Sequence, residues 1–81
     1  MIVYLEPLYG DAEDNLDRAK TEVEKALGFR GTITSVKAQG TQIQVDFKVN
    51  PGWDLPLEQK ITYLAEWLPV KVRHFKVQSI K

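Results

Sequence analysis

His74 is the chain's one histidine, and there is no cysteine. Nucleophilic catalysis at a serine or threonine needs a base within hydrogen-bond reach to take its proton. The two serines, Ser35 and Ser79, stand in no motif that pairs them with His74, which reads as an ordinary surface histidine. Acid–base work by two carboxylates would have to draw on Glu6, Asp46, Asp54, Glu58 or Glu66, and nothing local pairs any of them. Without cysteine, disulfide staples and thiolate chemistry are both excluded. The expectation is a protein that is not an enzyme and carries no cofactor.

Metal and phosphate chemistry fare no better. Asp11, Glu13, Asn15, Asp17 and Glu22 fall at the first, third, fifth, seventh and twelfth places of a calcium loop. The sixth place, where the sharp turn requires glycine, is Leu16, which also belongs to a helical apolar stripe. One residue cannot serve both, so the acids read as helix-terminal charge. Gly28 and Gly31 flank Phe29-Arg30 but follow a helix instead of leading into one, so they terminate it and do not cradle a phosphate.

Large aromatics are the more informative residues. Trp53, Tyr63 and Trp67 surround one short helix whose apolar stripe is complete without them. Trp and Tyr concentrate where binding energy does. Trp53, Lys60, Tyr63 and Trp67 are therefore partner-surface candidates, and Tyr4 on the first strand is another. Equal numbers of acids and bases, 11 of each, argue against a protein that lives on bulk phosphate attraction. The charge is nonetheless uneven. Asp11 to Lys25 holds six acids against three bases, and after Glu66 only Lys71, Arg73, Lys76 and Lys81 are charged. Such an acidic end and basic end could solvate a helix and an edge strand, or meet different partners, or meet head to tail in an assembly.

These residues must be positioned by six elements. Gln42 to Val49 alternates strictly, with Ile43, Val45, Phe47 and Val49 on one face and Gln42, Gln44, Asp46 and Lys48 on the other, which makes it the central strand. Ile2 to Leu5 is apolar on both faces and should lie centrally, nearly covered on both, with Pro7 ending it. Asp11 reads as the N-cap of a helix of four to five turns, with Asp14 in a capping-box position and Ala12, Leu16, Ala19, Val23, Ala26 and Leu27 as its stripe. Gly28 suits the position after that helix, with Phe29 folding back as the hydrophobic contact.

A second strand, Thr32 to Ala38, carries Ile33 and Val36 at opposite parity, so a bulge near Thr34-Ser35 is expected. Gln39-Gly40-Thr41 closes a hairpin onto the central strand. After the turn Asn50-Pro51-Gly52, Asp54 reads as the N-cap of a second helix bearing Leu57, Ile61, Leu64 and Leu68, and Pro69 as its stop. Val70 to Ile80 is the last strand, with a bulge near Arg73-His74.

The order strand–helix–strand–strand–helix–strand is the split βαβ pattern of the ferredoxin-like α+β superfold. It predicts one domain over residues 1–81, an antiparallel sheet in the order 4-1-3-2, and both helices on one face. The expected core is Val3, Leu5, Leu16, Ala19, Val23, Leu27, Ile43, Val45, Phe47, Leu57, Ile61, Leu64 and Leu68. The other face is left open, with Ile2, Tyr4, Gln42, Gln44, Asp46 and Lys48 on it. The apolar run Ile2 to Leu5 is too short for a signal peptide or a membrane span, so a cytoplasmic protein is expected.

Val3-Tyr4-Leu5-Glu6-Pro7-Leu8 resembles the first-strand motif of RNA-recognition motif domains: aliphatic, aromatic, aliphatic, any, Asn, Leu. Pro7 stands where that family has Asn. The resemblance implies base stacking on Tyr4, with Lys48, Lys71 and Arg73 as further nucleic-acid candidates. The central strand departs from the pattern, since its one aromatic, Phe47, points inward. The leading expectation is therefore a non-catalytic interaction module that self-associates as a homodimer or binds another protein. RNA or single-stranded nucleic-acid binding is the alternative.

Overall fold

The computed structural model describes residues 1–81. Its elements are β1 (Ile2–Pro7), α1 (Leu16–Leu27), β2 (Gly31–Gln39), β3 (Gln42–Val49), α2 (Leu57–Lys71) and β4 (Phe75–Ile80), with short 3-10 turns at Glu13–Asn15 and Gly28–Arg30 on either side of α1. The strands form one sheet in the order β2-β3-β1-β4, and every neighbouring pair is antiparallel. That is the expected order read from the opposite edge. The chain has the ferredoxin-like α+β fold.

β3 organises the sheet because its alternation sets which face is sealed. Ile43, Val45 and Phe47 are buried and sit in register with Leu5 and Val3 of β1 and with Ala38, Val36 and Ile33 of β2. The opposite parity of Ile33 and Val36 is resolved by a register shift between Ile33 and Ser35. The extra residue returns both side chains to the helix side. β4 shifts likewise, with Val77 opposite Leu5 but Ser79 opposite Tyr4. Both edge strands are thus bulged, a device that discourages pairing with a foreign strand. The β2–β3 turn is closed by Gly40 at φ +64°, a conformation that side chains with a Cβ adopt only with strain.

Several local expectations are corrected. Asp11 does not cap α1. Instead Asn15 Nδ2 donates to the carbonyls of Tyr9 and Asp11, at 3.0 and 2.7 Å, and holds the turn from which α1 starts at Leu16. Asp54 does not cap α2 either, because the chain enters that helix from extended Pro56. Pro69 does not stop α2, which continues to Lys71. Proline forfeits only its own hydrogen bond to the carbonyl four residues back, and the helix survives where later packing holds it. Here Val72 N donates to the Leu68 carbonyl and the Val72 side chain is buried. The last strand therefore begins at Phe75, and Arg73 and His74 form its leading turn instead of a bulge.

Phe29 does not fold back onto α1. Gly28 has φ +54° but ψ −128°, far from the left-handed helical region a folded-back cap requires, and Phe29 is left 66% exposed. Leu57 is not core. It starts α2 and is 61% exposed, while Leu64 and Leu68, two and three turns on, are sealed. Leu16 and Ile61 are only partly buried. Trp53, Val72, Phe75 and Ala12 complete the core. β1 lies centrally between β3 and β4 with Val3 and Leu5 fully buried, but no layer covers its other face, where Ile2 and Tyr4 are half-buried by their neighbours.

Candidate functional site

Four of the five partner-surface candidates converge. Trp53 is held in the loop before α2 and closes the end of the core at 9% exposure. Its ring meets Tyr63 edge-on at 5.7 Å, and Tyr63 stacks on Trp67 at 5.9 Å. Tyr63 and Trp67 are four apart in α2 and so lie one above the other. Lys60 reaches over Trp53 at 5.9 Å. Tyr4, the fifth candidate, points away from this cluster on the uncovered face of the sheet.

Trp67 is also a structural tie. Its Nε1–H donates to the Ala26 carbonyl at 2.9 Å. Ala26 lies in the last turn of α1, where carbonyls have no partner within the helix. The indole thus satisfies one of them from α2. One of the three surplus aromatics is explained by this bridging of the two helices.

Arg30 is the residue that sequence reasoning missed. Its guanidinium lies 4.7 Å from the Phe29 ring, 5.0 Å from Tyr63 and 5.8 Å from Trp67. It forms no ion pair with any carboxylate. Lys71 lies over the other end of the cluster, 4.4 Å from Trp67. Lys25 and Lys71 line a groove beside Trp67 together with Glu22 and Ala26. The result is a ladder of aromatic rings between the helices with cations on their faces, an arrangement that exposes apolar area and positive charge together. The signal in the sequence was Phe29-Arg30 between two glycines, which reads equally well as a helix end.

His74 is not a free surface histidine. Its Nδ1 lies 2.6 Å from Glu22 Oε2, and its backbone N–H points to the other oxygen at 3.3 Å. Glu22 is on α1, so this contact ties α1 to the turn before β4. Ser35 is elsewhere, on the uncovered sheet face, where its hydroxyl donates to Asp46 at 3.0 Å. Gln44 Nε2 donates to the same carboxylate at 2.9 Å. Gln44, expected to face outward, is only 9% exposed because Tyr4 and Lys37 flank it in register. Hydrogen bonds from Gln44 and, less strongly, Ser35 hold the Asp46 carboxyl below the usual carboxylate range, helped by the charges of Lys37 and the N-terminus and opposed by desolvation. A carboxylate so held is a poor base.

Of the nucleic-acid candidates, Tyr4 and Lys48 are on the uncovered face and Lys71 and Arg73 are not. Lys71 is in α2 on the helix side, and Arg73 is in the turn after it. The cations that share a face with Tyr4 are Lys48, Lys37, Lys76 opposite Glu6, and Lys81, whose ammonium lies 5.5 Å from the Tyr4 ring. The acidic and basic stretches do not form separate ends. Antiparallel topology brings Asp11, Glu13 and Asp14, before α1, to the same end of the sheet as Arg73 and Lys76.

The fold and this surface define a small α+β domain of ferredoxin-like architecture with a cation–aromatic seam between its helices. No family model, curated protein or solved structure gives a significant match to the chain. No helix is long and apolar enough to cross a membrane.

Proposed function

We propose that the chain is a non-catalytic protein-interaction module that self-associates in the cytoplasm through the cation–aromatic surface at the α1–α2 seam. The observation that carries this reading is Arg30, stacked against three rings and engaged by no carboxylate, with exposed Phe29 beside it. Arg and aromatic residues dominate the energetics of protein interfaces. Chemistry is disfavoured because the groups that could perform it are dispersed and already engaged: His74 with Glu22, Ser35 with Asp46.

Association would add to the fold without completing it. A folded monomer of this mass exposes about 5,000 Å² on the general scaling, and the chain exposes 5119 Å². The expected self-association is therefore reversible. Light scattering over a concentration series, on protein purified without nuclease, should show a mass that rises with concentration. A constant monomer mass up to millimolar protein would defeat self-association.

One observation favours nucleic acid as a second reading: Tyr4 stands on the uncovered face among Lys37, Lys48, Lys76 and Lys81. In that case the preparation carries nucleic acid at low salt, sheds it at high salt, and Tyr4→Ala weakens the binding. No binding at low salt ends that reading.

A further inference from the structure

α2 carries a second stripe that its own chain leaves largely uncovered. Gln59, Tyr63, Glu66 and Val70 follow one another at spacings of four, three and four. At 100° per residue they share one face, about 150° round the helix from the buried Leu64 and Leu68. Gln59 and Glu66 are exposed, Tyr63 is half-buried, and Val70 is 66% exposed. Arg30 joins this face, with its guanidinium 5.0 Å from the Tyr63 ring. Arg30 and Glu66 are the two charged groups on it, and neither has an ion-pair partner in its own chain. The other charges of α2 lie off the face: Lys60 and Lys71 are about 100° round on the side of Trp67, and Glu58 is about 110° round on the other. Lys25 and Glu22 flank Trp67 from α1, and Glu22 is engaged by His74.

The stripe has the same spacing read from either end. Laid antiparallel against a copy of itself, about a two-fold axis midway between Leu64 and Ala65, it sets Gln59 opposite Val70 and Tyr63 opposite Glu66. Each Glu66 then faces the ring on which the other copy's Arg30 rests. We propose that the chain forms a two-fold dimer in which α2 packs antiparallel on α2 of a second copy, and Arg30 of each copy pairs with Glu66 of the other. This rests on the self-association reading above and specifies its geometry. A two-fold contact is closed, so assembly stops at two. It gives each of the two charges the partner its own chain withholds, and it does so twice per dimer.

Size sets the strength. From Gln59 to Val70 the helix rises about 17 Å, and a helix with its side chains is about 10–12 Å across. A contact of that footprint falls short of the ~1,200 Å² in all at which stable complexes begin. The dimer is therefore weak and reversible, and salt weakens it further by screening its exposed charges.

Sedimentation equilibrium at low salt on the wild type, Arg30→Glu, Glu66→Arg and an equimolar mixture of the two variants tests this. Neither side chain is buried, so both variants should fold, which far-UV circular dichroism would establish. The wild type should pass from monomer to dimer with concentration and go no further. Arg30→Glu sets two glutamates against each other at both pairs, and Glu66→Arg sets two arginines. Each variant alone should raise the dissociation constant at least about tenfold. The mixture should dimerise about as well as the wild type, because a one-to-one dimer regains an opposite charge at both pairs. That recovery also excludes misfolding as the cause of the single losses. A wild type that assembles beyond a dimer, variants that dimerise alone as well as the wild type, or a mixture no better than its components would overturn the two-fold geometry while leaving self-association intact. A wild type monomeric at every concentration would overturn self-association itself.

Discussion

Trp67→Phe separates the structural role of the aromatic seam from its role as a surface. The substitution keeps a ring to stack on Tyr63 but deletes the Nε1–H that serves the Ala26 carbonyl. Ala26 is only 5% exposed, so water cannot readily replace that donor. A buried acceptor left unpaired costs about 1–3 kcal/mol. Phenylalanine also holds the Lys71 ammonium less well, forfeiting part of a contact worth about 0.5–1 kcal/mol at an exposed site. The expected total is about 2 kcal/mol, which for a domain this size lowers the melting temperature by about 8–16 °C. Urea denaturation followed by the fluorescence of Trp53, with circular dichroism as a second probe, measures it. A loss under about 0.5 kcal/mol would refute the reasoning, because the indole would then not be tying α2 to α1. Trp67 would have to be read as a surface residue.

Three further outcomes follow from the same structure. Pro69→Ala should stabilise the protein by about 1–2 kcal/mol, since alanine restores an N–H within α2 and removes a residue that costs about 3 kcal/mol in a helix interior, less what proline contributes by stiffening the unfolded chain; an unchanged or lower urea midpoint would contradict this. Leu64→Ala should cost about 2–5 kcal/mol as a core cavity, whereas Leu57→Ala should stay within about 0.5 kcal/mol as a surface change, and thermal melts compare the two directly. Asp46→Asn should lower stability near neutral pH and progressively less in acid. Its carboxyl is depressed in the folded state, so the stabilisation is present above the ordinary carboxyl pKa of about 3.9 and is lost as pH falls through the lower folded value. A penalty that does not change with pH would show that ionisation is not its source.

What the sequence made legible is what periodicity encodes. The alternation of β3 named its sealed face, and the parity clash between Ile33 and Val36 located the β2 bulge within two residues. The stripe on α1 named Ala19, Val23 and Leu27 as core. The local rules misled where a longer-range contact outweighed them. Pro69 is a strong stop signal, but the burial of Val72 carried α2 past it. Asp11 is a good cap by type, but Asn15 reaches two carbonyls instead. Leu57 has the spacing of a core residue but stands exposed at the first position of α2.

The candidate surface was half legible for the same reason. Tyr63 and Trp67 are neighbours by helical spacing, so their stacking could be read directly. Arg30 joins them only because α1 ends beside the start of α2. Glu22 and His74 are 52 residues apart, and no local pattern pairs them. Lys71 and Arg73 look like part of a basic strand until α2 is seen to include the first of them.

The most direct test of the central claim is a dilution series of two-dimensional ¹⁵N–¹H NMR spectra. Signals that move with concentration should belong to Phe29, Arg30, Lys60 and the Trp67 indole at the α1–α2 seam. Movement confined to Tyr4, Gln44 and Lys48 would place the contact on the open sheet face and contradict the account, as would spectra that do not change at all.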